Sequence, residues 1–255
     1  MHMSALYMFL IFLASLVAGA MNSVAGGGTL VTFPTLLFTG VAPIVANASN
    51  SMGLWPSTLF TGWLYRDHIE TSRRMFALLI AISVVGGFLG AWLLLHTPER
   101  VFNQMIPLLL LFAALLFTFS RHVRGVADRM SIPSHWLAAV AVVGQFGIAV
   151  YGGYFGAGIG VLMLSLYSLT LDTTIHSMMG IRSICATAIN ATAVVVFIAG
   201  HRIDWLVAAL VAAGSIAGAG AGATTIRRLD PALARRIVLV VAWGMILAFL
   251  ARMGV

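Results

Sequence analysis

The sequence predicts an all-α polytopic membrane protein. It is expected to hold two inverted repeats of about five hydrophobic segments each, with short discontinuous segments meeting near the midplane. Three observations lead there: a composition too apolar for a water-soluble core, about ten hydrophobic runs in series, and glycine-broken short runs at matching places in the two halves. Of 255 residues, 61% are hydrophobic and 8% charged, with a mean hydropathy of +1.03. A soluble domain carries about 25% charge, so this much apolar surface belongs in a bilayer.

The charge is one-sided. All 14 basic residues are arginine, against 7 acids, for a formal net charge of +7. Such a balance can signal nucleic acid. Here the arginines fall in short clusters between apolar runs, where cytoplasmic loops collect them. The expected partners are therefore the lipid bilayer and a small anion, with no nucleic acid. The oligomeric state stays open, a homodimer included. One cysteine, Cys185, excludes an internal disulfide and any cysteine-based metal site. Neither a metal nor a cofactor is expected.

Apolar runs fall at about residues 4–24, 28–40, 43–65, 74–95, 101–119, 135–153, 157–170, 175–200, 205–226 and 236–252. The first has no separate charged leader and cleavage motif, and reads as a retained span. A spanning helix needs about 20 residues, so 28–40 and 157–170 are short. Each either crosses with help from adjoining loops or forms a half-helix that turns back, for eight to ten crossings. The loops "RDHIETSRR", "SRHVRGVADRM" and "RRLDPALARR" are arginine-rich and go to the cytoplasm, placing both chain ends outside.

The halves resemble one another. "AGGGTL" at 25–30 parallels "FGAGIG" at 155–160, and "TPERVFNQMIPLLL" at 97–110 parallels "DPALARRIVLVVAW" at 230–243, at offsets of 129 to 133. Residues 1–125 form the first repeat and 126–255 the second. The loop after the third segment is arginine-rich in the first repeat and poor in the second, and the next loop reverses this. The repeats therefore run in opposite senses across the bilayer, and glycine-interrupted segments in such repeats point to a transporter with a midplane site.

Gly26, Gly27 and Gly28 let the chain unwind and approach a ligand closely. A half-helix starting near Thr29 would aim free N–H groups and a positive dipole end at that gap. Gly156, Gly158 and Gly160 would do the same from the second half. By contrast Gly86, Gly90, Gly214, Gly218 and Gly222 keep a four-residue step and read as tight helix crossings.

At these motifs the chain resembles the TauE/SafE family of membrane permeases. The resemblance rests on "AGAMNSVAGGGTLVTFPTLLFTGVAPIVANASNSMG" at 18–53 and "YGGYFGAGIGVLMLSLYSLTLDTTIHSMMGIRSICATAIN" at 151–190. It implies export of small sulfur-containing anions, sulfite or organosulfonates, across a bacterial cytoplasmic (inner) membrane. The second half departs from the first in carrying "FGAGIG" and in having Leu164 where the first has Pro34.

The expected substrate-binding side chains are Asn22, Ser23, Thr29, Asn47, Asn50, Ser51, Tyr151, Arg182 and Ser183. Arg182 lies seven residues into an apolar segment, where a charge costs at least ~2.5 kcal/mol on insertion scales. It needs a partner: a sulfonate or sulfite held by two hydrogen bonds, Asp172, or the headgroups reached by snorkelling. His176, Ser183, Thr187 and Asn190 share a helix stripe, aligned at an offset of 129 with Asn47, Leu54, Thr58 and Thr61. Gly53 and Pro56 are expected to distort the third segment. Asp172 and His176, one turn apart, are the proton-relay candidates, although "LDTTIH" also reads as a helix start.

The expected function is a secondary transporter working by alternating access; the alternative is an anion channel using the same helix ends. An enzyme is not expected, since no HExxH, GxSxG or clustered carboxylates occur.

Overall fold

A computed structural model of the chain describes residues 3–24, 26–119, 133–221, 240, 243 and 244. Among the described residues the regular elements are all helical. They are α1 (Ala5–Val24), α2 (Thr29–Phe38), α3 (Pro43–Tyr65), a 3-10 turn (Arg66–His68), α4 (Arg73–His96), α5 (Glu99–Thr118), α6 (Ser134–Tyr154), α7 (Ile159–Thr170), α8 (Ile175–Ala199) and α9 (Trp205–Ala221). Among the described residues five stretches are long and apolar enough to span a membrane: Ala5–Ser23, Arg73–His96, Glu99–Thr118, His135–Tyr154 and Ile175–Ala199. The arginine-rich loops at 121–129 and 227–236, Gly222 and most of the last apolar run lie outside the described residues.

Local chemistry sets the helix starts. Ser72 caps α4 by accepting from the Met75 amide at 3.2 Å, and Thr174 caps α8 by accepting from Ser177 at 3.3 Å. Asp204 accepts from Leu206 and Val207 at 3.0 and 3.1 Å ahead of α9. Proline opens α3, where a missing N–H costs nothing. The expected distortion of the third segment does not end it: α3 runs unbroken from Pro43 to Tyr65 with Pro56 inside. Gly53 is there for closeness, since an added Cβ would run into the Val211 side chain of α9.

α2 has 10 residues and α7 has 12, which is about 15 and 18 Å at 1.5 Å per residue. Each is half of a roughly 30 Å hydrocarbon core. Both are buried along most of their length, which is how irregular backbone beside them survives at membrane depth.

Packing comes in matched sets. α1 lies along α9 and α6 along α4; α3 packs on α9 and α8 on α4; α3 and α8 cross at the centre. The long pairs close through small residues: a Cβ at Gly214 would sit 2.6 Å from the Phe12 carbonyl, and one at Gly86 would sit 2.6 Å from the Ala149 Cβ. α3 and α8 begin at residues 43 and 175, α4 and α9 at 73 and 205, each 132 apart. In this register Asn50 corresponds to Arg182, Ser51 to Ser183 and Thr58 to Asn190. The offset of 129 read from the polar stripe is therefore three residues short; it pairs Thr58 with Thr187, which meet across the crossing rather than by correspondence, at 3.3 Å between hydroxyls. A buried network ties the second half to α4: Tyr167 donates to the Gln145 oxygen at 2.9 Å, and the Gln145 nitrogen donates to Ser83 at 2.8 Å.

Candidate functional site

The site forms where the chain breaks twice. After α1, Gly26 and Gly27 take φ of 78° and 95°; after α6, Gly156 and Gly158 take 80° and 81°. Side chains rarely enter this left-handed region. The two breaks touch, because a Cβ on Gly26 would lie 3.1 Å from the Gly160 Cα. Gly28 has ordinary helical torsions and is small for another reason: its Cβ would lie 2.7 Å from the Ala18 carbonyl.

Asn22 organises the first break. Its Oδ1 accepts from the Gly28 amide at 3.0 Å, and its carbonyl accepts from Arg182 Nη2 at 3.0 Å. The amides of Gly27, Thr29, Ile159 and Gly160 donate to no group among the described residues. Those of Thr29, Ile159 and Gly160 are orphan donors of the first turns of α2 and α7, at the positive ends of both helix dipoles, and Gly27 lies just ahead of the α2 cap.

Between them is a cavity of about 50 Å³. Asn22, Gly26, Gly27 and Thr29 line it from the first half, and Gly156, Ile159 and Gly160 from the second. α3 contributes Ser51, Leu54 and Thr58, and α8 contributes Ser183, Ala186 and Asn190, positions 132 apart pair by pair. Arg182 completes the lining and is 3% exposed; its Nη1 has no hydrogen-bond partner. The ion pair found among the described residues is Arg66–Asp67, so the alternative partner Asp172 does not meet Arg182. A charge-assisted donor thus faces the point where two helix N-termini converge.

Of the residues expected from sequence, Asn22, Gly26, Gly27, Thr29, Ser51, Gly156, Gly160, Arg182 and Ser183 share this cavity. Others stand beside it. The Ser23 hydroxyl donates to the Ala20 carbonyl at 2.8 Å, and the Tyr151 hydroxyl to the Ala157 carbonyl at 2.8 Å. Gly158 packs towards Ala113, while Asn47 and Asn50 bond to Tyr154 and Thr29. Asp172 and His176 are exposed, and the His176 ring lies against Tyr65 and His68, with centroids at 6.3 and 5.8 Å. The structure does not bring this pair into the cavity. Thr58, Asn190 and Leu54, placed by the sequence only on the aligned helix stripe, line the cavity too; missing altogether from the sequence reading were the apolar Phe155, Ile159 and Ala186. The i, i+3, i+7 step from Ser51 and from Ser183 carries the signal for Leu54, Thr58, Ala186 and Asn190. Among the described residues no cluster of three or more His, Cys, Asp or Glu is placed to hold a metal.

Paired half-helices around a buried cationic cavity in a multi-pass helical protein define a membrane transporter. A sequence model described as "Sulfite exporter TauE/SafE" matches residues 11–249, and the chain belongs to that family. It is 28% identical over 237 residues to a probable membrane transporter protein of Haemophilus influenzae, covering 92% of this chain and 91% of that one. It is 27% identical over 247 residues to the probable membrane transporter protein YfcA of Escherichia coli K12, with 94% and 88% covered. A probable membrane transporter protein, ORF9, of Sinorhizobium shares 27% identity over 248 residues, 94% and 91% of the two chains. No solved structure matches.

Proposed function

We propose that the protein is a secondary transporter that moves small sulfur oxyanions, with sulfite as the type case, out of the cytoplasm across the bacterial inner membrane by alternating access. The observation that carries this is the Arg182 Nη1, buried and unpartnered, beside two half-helix N-termini. One guanidinium and two dipole ends of about half a charge each suit an anion of one to two charges. The cavity volume corresponds to about four water-sized spheres, at 10–15 Å³ each. That is room for an oxyanion with one central atom. Among the described residues no carboxylate lines the cavity, so a sulfonate bearing an ammonium group finds no counter-charge there.

Residues 1–125 and 126–255 are the two repeats, but each lends a helix to the other, α4 lying on α6 and α8 and α9 on α1 and α3; rocking of the two helix-exchanged bodies about the α3–α8 crossing alternates access. The membrane potential drives export, at ~2.3 kcal/mol per negative charge per 100 mV.

The test is uptake of radiolabelled sulfite into proteoliposomes, against chloride and taurine. Saturable sulfite flux, lost in Arg182→Ala and weakly inhibited by taurine, supports the proposal. Non-saturating flux shared with chloride would move it to a channel. No anion flux from folded protein would remove the anion reading.

A further inference from the structure

Asn47 and Asn50 were expected to contact the substrate, yet both side chains lie outside the cavity lining and are 1% exposed. Asn47 Nδ2 donates to the Tyr154 carbonyl at 3.1 Å. A carbonyl only accepts, so this bond fixes which end of the amide is which. The Asn47 Oδ1 that remains is buried and has no partner. Asn50 lies three residues along the same helix face. Its Nδ2 donates to the Thr29 hydroxyl at 3.4 Å, and its Oδ1 is also buried and unpartnered.

In a carboxamide, oxygen and nitrogen share one carbon, so each unpartnered oxygen stays near the group its nitrogen holds. Along one face of α3 stand the Asn47 and Asn50 oxygens, the first beside the Tyr154 carbonyl at the end of α6 and the second beside the Thr29 hydroxyl oxygen. The two Asn oxygens have no donor among the described residues; the Tyr154 carbonyl and the Thr29 hydroxyl oxygen each accept one bond, from Asn47 and Asn50 Nδ2, and keep a second lone pair. The C-terminal end of α6 adds the negative pole of its dipole. Such a setting draws a cation, as unwound carbonyls and helix C-termini do in transporters with broken helices. The described acids, Asp67, Glu70, Glu99, Asp172 and Asp204, are all exposed, so no carboxylate contributes. Divalent ions rely on carboxylate ligands; neutral oxygens alone suit a monovalent one.

We propose that the Asn47 and Asn50 side-chain oxygens, with the Tyr154 carbonyl and the Thr29 hydroxyl, form a sodium-type cation site that fills together with the anion. Thr29 belongs to both places, since it holds Asn50 and lines the cavity. Arg182 repels a cation bound alone, and an anion on Arg182 removes that repulsion, so each ligand raises the affinity for the other. The site itself stands on its oxygens; the cooperation rests on the anion reading above.

The experiment is thermal unfolding of the purified full-length protein in detergent, titrated with sodium, potassium and choline gluconate, with and without potassium sulfite. The expected result is a saturable rise in midpoint with sodium alone among the three cations. Sodium affinity should rise at least tenfold when sulfite is present. Asn47→Leu and Asn50→Leu should each abolish the sodium response and keep the sulfite response. Asn50→Asp, whose carboxylate can accept from the Thr29 hydroxyl in place of the lost amide bond, adds a charge and should tighten sodium at least tenfold. A midpoint indifferent to the cation would mean that the oxygens hold water, and would overturn the proposal. So would a sodium response surviving both leucine variants. If those variants do not fold, unchanged sodium affinity in Asn50→Asp overturns it instead. A sodium response with no sulfite response supports the cation site and defeats the anion reading alone.

Discussion

Both breaks turn back onto the helix before them, the Gly26 amide onto the Met21 carbonyl and the Gly156 amide onto the Tyr151 carbonyl, five residues back in each case. The first adds a side chain that the second lacks: Asn22 reaches six residues forward to hold the Gly28 amide, while position 152, five residues ahead of Ala157 as Asn22 is ahead of Gly27, is a glycine. The helix from the opposite half then caps each end differently. α8 offers a guanidinium to the Asn22 carbonyl, and α3 offers a neutral amide to the Tyr154 carbonyl. The scaffold is paired but its chemistry is not: at the register of 132, the position that is Arg182 on α8 is Asn50 on α3. A symmetric pair of arginines would double the cost of burying charge at depth. One arginine gives the cavity a charged side and leaves the other side free for a different ligand.

The comparison breaks most severely at Arg182. Arg182→Ala removes a charged hydrogen-bonding group worth about 1.5–3 kcal/mol, roughly ten- to a hundredfold in sulfite flux. Arg182→Lys should recover part of it, because charge returns without the planar fork. Gly26→Ala comes next. Its new Cβ must live at φ 78° within 3.2 Å of Arg182 Nη1 and 3.1 Å of Gly160, so flux should fall about tenfold along with the melting midpoint. Asn22→Ala should cost about 1 kcal/mol through loss of the Gly28 anchor, a severalfold rise in KM. Asn22→Asp keeps that anchor but sets a carboxylate beside Arg182, and should compete with the anion more strongly than the alanine does. The mildest change is Gly158→Ala. It shares the strained torsion, φ 81°, but its nearest neighbour is Ala113 at 3.6 Å, so a stability loss of about 1 kcal/mol with unchanged KM is expected. Equal effects from Gly26→Ala and Gly158→Ala would erase the distinction drawn between the two breaks.

Much of this was legible in the residues. Glycine density located both breaks, and runs of 13 and 14 residues, 28–40 and 157–170, became helices of 10 and 12. Charge at depth singled out Arg182 because nothing else in an apolar segment costs as much to place there. What could not be read were contacts between halves: that Asn22 would bond both Gly28 and Arg182, or that Asn47 would turn to the α6 end. Single Asn side chains fit equally well into a cavity or against a carbonyl, and sequence does not say which lies nearer. The register error at α3 and α8 has the same origin. Serine and threonine recur often enough along both helices that two offsets match, and only the packed crossing separates them.

The hydroxyl pair at that crossing has a mechanical consequence. Thr187 can donate to its own Ser183 carbonyl at 2.8 Å instead of to Thr58, and Thr58 donates to its own Trp55 carbonyl at 2.8 Å. The shared bond can therefore open without leaving a buried hydrogen stranded. Under the rocking proposed above, the crossing acts as a low-friction bearing, a polar contact at the centre of the molecule that fixes position without opposing rotation.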